Sequence, residues 1–272
     1  MAVVSFRLLS FLCCLSVIII SQASAQTYCD YGKGNYTINS TYHSNLNTLL
    51  SNFSSHTDIH YGFYNFSYGQ EEPDKVYAIG LCRGDQNPDQ CLKCLNESRV
   101  SLAEECPNQK EAIYWKLECM LRYSNRSIFG IMESQPTARS VYMKNVTGSV
   151  DEFNDVLESL MRNLSSRAAS GDSRRKYATG SKPAPAFQTA YGYTQCTPDL
   201  SSEDCTTCLD EAVSEIPTYF NGKAGGNVLK PSCRIRFDPY FFYEPTLKLD
   251  PDASPTVTPP PSPPANNTSS SQ

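Results

Sequence analysis

The chain has 272 residues, a formal net charge of −5 and 12 cysteines. That acidic balance lacks the basic footprint that a phosphate backbone demands, so a nucleic-acid partner is excluded. Twelve cysteines beside only three histidines make sulfur, and the compartment it sits in, the first thing to establish.

The N-terminus addresses the compartment. Arg7 is followed by an apolar run, residues 8–20, and then by the small residues Ala23, Ser24 and Ala25. The run is too short for a comfortable membrane span, and residues 1–25 read as a cleaved secretory signal peptide. Cys13 and Cys14 leave with it, and ten cysteines remain in a compartment where disulfides persist. Ten glycosylation sequons fit the same compartment: Asn35, Asn39, Asn52, Asn65, Asn96, Asn125, Asn145, Asn163, Asn266 and Asn267.

An apolar stripe of Leu46, Leu49, Leu50 and Phe53 predicts a first amphipathic helix. Asn87, with Pro88 behind it, is the natural N-cap of a second helix, which carries Cys91 and Cys94 one turn apart on one face. Residues 112–124 read as an alternating strand, with Ile113, Trp115, Leu117, Cys119, Leu121 and Tyr123 on one side and Tyr114, Lys116, Glu118, Met120 and Arg122 on the other.

The pattern then repeats. Adding 114 to Cys82, Cys91, Cys94 and Cys119 gives Cys196, Cys205, Cys208 and Cys233. Phe153, Val156, Leu157, Leu160 and Leu164 repeat the first helix behind a capping-box signature, Ser149 and Glu152. "SRRK" at 173–176 reads as a solvated loop. Ser201 caps the second cysteine helix, whose stripe is Leu209, Val213 and Ile216. "GKAGG" at 222–226 reads as a hairpin turn before the last strand, where Cys233, Ile235 and Phe237 oppose Arg234, Arg236 and Asp238. Two units result, 26–132 and 133–246, each an α+β sandwich of two helices on an antiparallel sheet. Residues 247–272 are a Pro/Ser-rich disordered tail, with no apolar run for membrane insertion.

The same offset places Met143 and Phe220 where the first copy has Cys29 and Cys106. Losing both cysteines together leaves no stray thiol, which implies a Cys29–Cys106 bridge replaced by apolar packing at or near Met143 and Phe220. Thiols at i and i+3 of a helix seldom meet disulfide geometry, so Cys82 pairs with Cys91 or Cys94, and Cys119 with the other. Zinc would want four soft ligands in a metal-buffered setting, and a thioredoxin-type thiol a CxxC at a helix start; a secreted chain with an even cysteine count fits neither.

C-x8-C-x2-C occurring twice behind a signal peptide, with "CLKCL", "CMLRYSN", "DCTTCLDEA" and "NGKAGGNVLKPSCRIRFDPYFFYEP", resembles the plant ginkbilobin-homologous domain, also called the salt-stress-response or antifungal domain. Tandem pairs of it occur in cysteine-rich repeat secretory proteins and in ectodomains of cysteine-rich receptor-like kinases. The resemblance implies a five-stranded antiparallel sheet with two helices in each copy. It also implies the pairing Cys29–Cys106, Cys82–Cys91, Cys94–Cys119, Cys196–Cys205 and Cys208–Cys233. In the family, mannose is held by an Asn after the first cysteine, an Arg six before the last and a Glu five after it. Those positions hold Asp30, Ile113 and Ser124 in copy one, and Lys144, Asn227 and Asp238 in copy two, so only Asn227 and Asp238 keep a partial polar pocket.

No catalytic constellation, metal site or cofactor motif stands out. His43, His56 and His60 read as exposed loop histidines, and "GKAGG" lacks a phosphate-binding loop's ending. Trp115, Tyr114 and "YFFYEP" from 240 offer a sugar-stacking or partner surface, with core packing the better reading for most of them. The expectation is a non-enzymatic binding protein of the plant apoplast in stress or defence, whose partner is a carbohydrate or an extracellular protein. The alternatives are the extracellular region of a receptor-like Ser/Thr kinase, truncated or spliced, and a direct antifungal, lectin-like protein.

Overall fold

The computed structural model describes residues 25–53, 61–70 and 72–244. The signal peptide, His56, His60, Asn266, Asn267 and the Pro/Ser-rich tail lie outside these. Copy one runs β1 (Gln26–Cys29), a 3-10 turn (Tyr31–Lys33), α1 (Thr41–Asn52), β2 (Phe63–Tyr68), β3 (Val76–Cys82), α2 (Pro88–Glu105), β4 (Ala112–Trp115) and β5 (Cys119–Ser124). Copy two runs β6 (Ala138–Val141), α3 (Val150–Ala169), β7 (Lys176–Ala184), β8 (Gln188–Cys196), α4 (Ser202–Ser214), α5 (Ile216–Tyr219), β9 (Gly226–Leu229) and β10 (Cys233–Asp238). The sheets are antiparallel and wound alike, in the orders β1-β4-β5-β3-β2 and β6-β9-β10-β8-β7.

The helices start where their caps place them. The Asn87 side chain accepts from the Gln90 N–H at 2.9 Å and Gln90 reaches back, a complete capping box with Pro88 at the first helical position. Ser149 and Ser201 cap α3 and α4 by the same acceptance from the third helical N–H. The Leu209, Val213 and Ile216 stripe is divided between α4 and the four-residue α5, because Pro217 cannot continue the α4 ladder. "SRRK" is not wholly a solvated loop. Lys176 is 5% exposed, and its ammonium donates to Ala169 O at 3.2 Å and Gly171 O at 2.8 Å, satisfying carbonyls at the C-terminal end of α3.

The alternating run 112–124 is a hairpin, not one strand. β4 and β5 pair antiparallel, Ile113 opposite Arg122 and Trp115 opposite Met120, so the parity of the pattern inverts across residues 116–118. Tyr114, Leu121, Cys119 and Tyr123 face the helices, whereas Ile113 and Trp115 share the other face with Met120 and Arg122. The turn before the last strand is likewise not "GKAGG". That segment leads into β9, and Lys230, Pro231 and Ser232 join β9 to β10. Gly226 is glycine because a Cβ there would lie 2.3 Å from the Phe220 ring.

All five bridges have the pairing expected from the resemblance: Cys29–Cys106, Cys82–Cys91, Cys94–Cys119, Cys196–Cys205 and Cys208–Cys233. The replacement of the first bridge in copy two is different from the expected one. Cys29 lies opposite Ala112, and Val141 lies opposite Gly226, the repeat equivalent of Ala112. The edge strand is therefore displaced by two residues between copies, and Val141, not Met143, takes the place of Cys29. Met143 is 89% exposed, while Phe220 is buried against Phe237 and fills the gap alone.

The copies are joined face to face. The side of the first sheet turned away from its helices carries Phe63, Ile79, Leu81, Ile113, Trp115 and Met120, which form one buried cluster with Leu229 of copy two. Trp115 Nε1 donates to Lys230 O at 3.4 Å. Gln195 works in both directions: its Oε1 accepts from Arg234 at 2.9 Å, and its Nε2 donates to Cys82 O at 2.8 Å. Asp85 accepts a two-pronged bond from Arg83 (2.6 and 3.0 Å) and a third from the Glu244 N–H at 2.9 Å, tying the end of copy two to copy one. Burial opposes the charge on Asp85, but these donors outweigh it and hold its carboxyl below the usual range. Gly84 is required here as well, since a Cβ would sit 2.4 Å from the Tyr177 ring.

Candidate functional site

The positions expected to hold a sugar fall on the outer face of each sheet, and neither is open. In copy two, Asn227 of β9 lies opposite Arg236 of β10, with Asp238 two residues further along the same face. Asp238 Oδ2 accepts from Arg236 Nη2 at 2.8 Å, and its Oδ1 accepts from the Tyr240 N–H at 3.0 Å. The Arg236 guanidinium lies 4.1 Å from the Phe242 ring centroid and 5.7 Å from that of Tyr142. Asn227 is 1% exposed and Asp238 7%. The segment after β10 therefore roofs the pocket with its own aromatic rings. Lys144 is not part of it. With the edge strand displaced, Tyr142 follows Val141 as Asp30 follows Cys29, and Lys144 instead donates to Tyr240 Oη at 2.7 Å on the surface.

In copy one the same region is a buried charge network. Glu111 accepts from Arg122 (2.7 Å), Ser124 Oγ (2.8 Å) and Arg126 (3.0 and 3.2 Å). Glu133, from the segment between the copies, binds both Arg122 and Arg126. Asp30 turns back to its own Gly32 N–H, and Ile113 belongs to the inter-copy cluster. Both oxygens of Glu111 are engaged by donors, and Glu133 is held by the two guanidinium groups, an arrangement that fixes geometry. Burial opposes ionisation of Glu111, but Arg122, Ser124 and Arg126 outweigh it and hold its carboxyl below the usual range. A depressed folded pKa contributes stability that is complete above the unfolded value, 4.5, and is lost as pH falls through the folded one. Denaturant titrations from pH 7 to pH 3 are expected to show this acid loss in the wild type. In Glu111→Gln the stability is lower at neutral pH and its acid limb is shallower.

The remaining candidates are placed as follows. His43 is not a loop histidine: it lies in α1, its Nδ1 accepting from the Asn39 N–H at 3.0 Å and its ring stacked on Tyr36. Trp115 and Tyr114 are buried, whereas Tyr240 and Phe241 are 63% and 56% exposed, so core packing accounts for only part of "YFFYEP". Among the described sequons, Asn35, Asn39, Asn65, Asn145 and Asn163 are exposed and Asn52, Asn96 and Asn125 partly so. Among the described residues no group of three or more His, Cys, Asp or Glu is placed to hold a metal, and no helix is long and apolar enough to cross a membrane.

The chain is thus a duplicated, disulfide-stapled α+β unit joined through its sheets. The chain belongs to the salt stress response/antifungal family, which matches residues 28–126 and again 139–240. It is 40% identical over 232 residues to cysteine-rich receptor-like protein kinase 29 of Arabidopsis thaliana, covering 85% of this chain and 34% of that protein. To cysteine-rich receptor-like protein kinase 28 of the same plant it is 41% identical over 236 residues, 86% of this chain and 34% of that one. The chain thus spans about a third of the length of the curated relatives it matches, and their kinase domain is separate from the matched part. The solved tandem DUF26 ectodomain of the Arabidopsis thaliana cysteine-rich receptor-like protein PDLP8 superposes with a TM-score of 0.68 at 25% identity, over 78% of this chain and 96% of that one. That of PDLP5 gives 0.62 at 26% identity, over 78% and 97%.

Proposed function

We propose that the chain is a secreted, glycosylated and non-enzymatic recognition module of the plant apoplast, binding a carbohydrate or an extracellular protein in stress or defence responses. The observation that carries this reading is the apolar, hydrogen-bonded junction of the two copies. It makes one rigid composite surface out of two small domains, which suits a receptor-type ectodomain. The receptor-like relatives and the accessible sequons support it. A glycan array together with a pull-down against plant receptor ectodomains tests it, and silence in both removes it. Sequencing transcripts beyond the codon for Gln272 separates a free secreted protein from the outer part of a receptor kinase. Direct lectin-like antifungal action through Asn227 and Asp238 has the weaker support, because the chain's own aromatic residues cover them.

A further inference from the structure

The repeat supplies an internal control for a second polar feature. Between α3 and α4 runs an open groove of about 400 Å³. An ion pair, Arg162 Nη1 to Asp210 Oδ1 at 3.6 Å, marks one end. At the other end Ser202 Oγ donates to Ala169 O. The hydroxyls of Ser170 and Thr206 also donate to backbone carbonyls, Ser166 O at 2.6 Å and Ser202 O at 2.8 Å. Each of the three has spent its proton and offers lone pairs to the groove as acceptors. Ser165 is different. It lines the groove, is 2% exposed, and its hydroxyl has no hydrogen-bond partner. A buried hydroxyl left unpaired is unfavourable, and a ligand hydroxyl would remove that cost.

On the α4 side the fold does not require these groups, whereas Ser165 and Ser166 of α3 recur in copy one as the serines of "NFSS". Asn87 and Ser201 are the equivalent N-caps of the two cysteine helices. Ser202, Thr206 and Asp210 therefore correspond to Pro88, Leu92 and Asn96, and copy one builds the same helix with almost none of this polarity. We propose that the α3–α4 groove binds a pyranose ring through its vicinal hydroxyls, which donate to the serine and threonine oxygens and to Asp210 and accept from Arg162. The volume suits one or two sugar rings. This rests on the reading of the chain as a recognition module and gives that module a site. Two sources of pyranose are in reach: an external wall saccharide, and a glycan on Asn163, which is exposed beside Arg162 and whose sequon Ser165 completes.

Calorimetric titration of the secreted, glycosylated full chain with methyl pyranosides of glucose, galactose, mannose and N-acetylglucosamine, and with their β-linked disaccharides, tests the proposal. So does the same titration of Asn163→Gln. Thr206→Leu, which restores copy one's residue, and Asp210→Ala are both solvent-exposed changes whose folding is checked by thermal unfolding. Each is expected to weaken binding about tenfold or more. Binding by the wild type identifies an external saccharide. Binding that appears only in Asn163→Gln identifies the chain's own glycan as the resident. No binding by either form overturns the proposal, and the receptor pull-down then decides the recognition role on its own. Sugar binding that neither groove variant weakens also overturns it, while leaving the recognition role standing.

Discussion

Trp115→Ala is expected to uncouple the two copies. The indole is 1% exposed, lies in the cluster that joins the two sheets, and donates to the backbone of copy two. Truncating a buried tryptophan costs about 3–5 kcal/mol, here withdrawn largely from the junction. Differential scanning calorimetry should show one cooperative transition in the wild type and two separated, lower transitions in the variant. A single transition within a degree of the wild type would mean that the junction carries little energy, and the composite surface would lose its physical basis.

The second large effect concerns the bridge that copy two has dispensed with. Cys29–Cys106 closes a loop with a sequence separation of 77, for which loop-closure entropy gives about 4.5 kcal/mol. Copy two fills the same place with Phe220 and leaves Gly226 bare to admit the ring. Transplanting only half of that solution should fail: Cys29→Val with Cys106→Phe loses the bridge and drives a ring against the Cβ of Ala112. Adding Ala112→Gly should then recover about 1–3 kcal/mol of overpacking. In the wild-type background the same Ala112→Gly should destabilise, because it loses buried contact and adds unfolded-state freedom. Urea denaturation of the four proteins checks the inversion of sign. The same sign in both backgrounds would refute the equivalence of Phe220 with the bridge.

Much of the fold was legible because the relevant signals are local. Cysteine spacing exposed the duplication, Asn87–Pro88 and Ser201 placed the cysteine helices, and pair loss coupled Cys29 to Cys106. The errors arose where a local signal was continued through a non-local event. Alternation predicts one strand running through residues 116–118, where no glycine marks the hairpin, and so places Ile113 and Trp115 on the wrong face. The constant offset of 114 failed at β6, since an edge strand can shift by two residues and keep its face, and this moved Cys29's counterpart from Met143 to Val141. Lys176 was hidden in a basic run whose neighbours are exposed, although a cation just past a helix end is a recognised C-terminal signal. The roof over Asn227 and Asp238 could not be read at all. The alternation of β10 shows which side they point to, but not that Phe242 folds back over Arg236.

The outer faces of the two sheets have ceased to be interchangeable. Where copy one presents Leu81 and Met120, copy two presents Gln195 and Arg234, and it is these that meet across the junction. A protein reduced to its first half would expose a wall of Phe63, Leu81, Trp115 and Met120 to water and stick to whatever came near. A single self-sufficient unit is thus no longer contained in either copy, and a gene-level deletion of one repeat should yield aggregated material rather than a smaller folded protein.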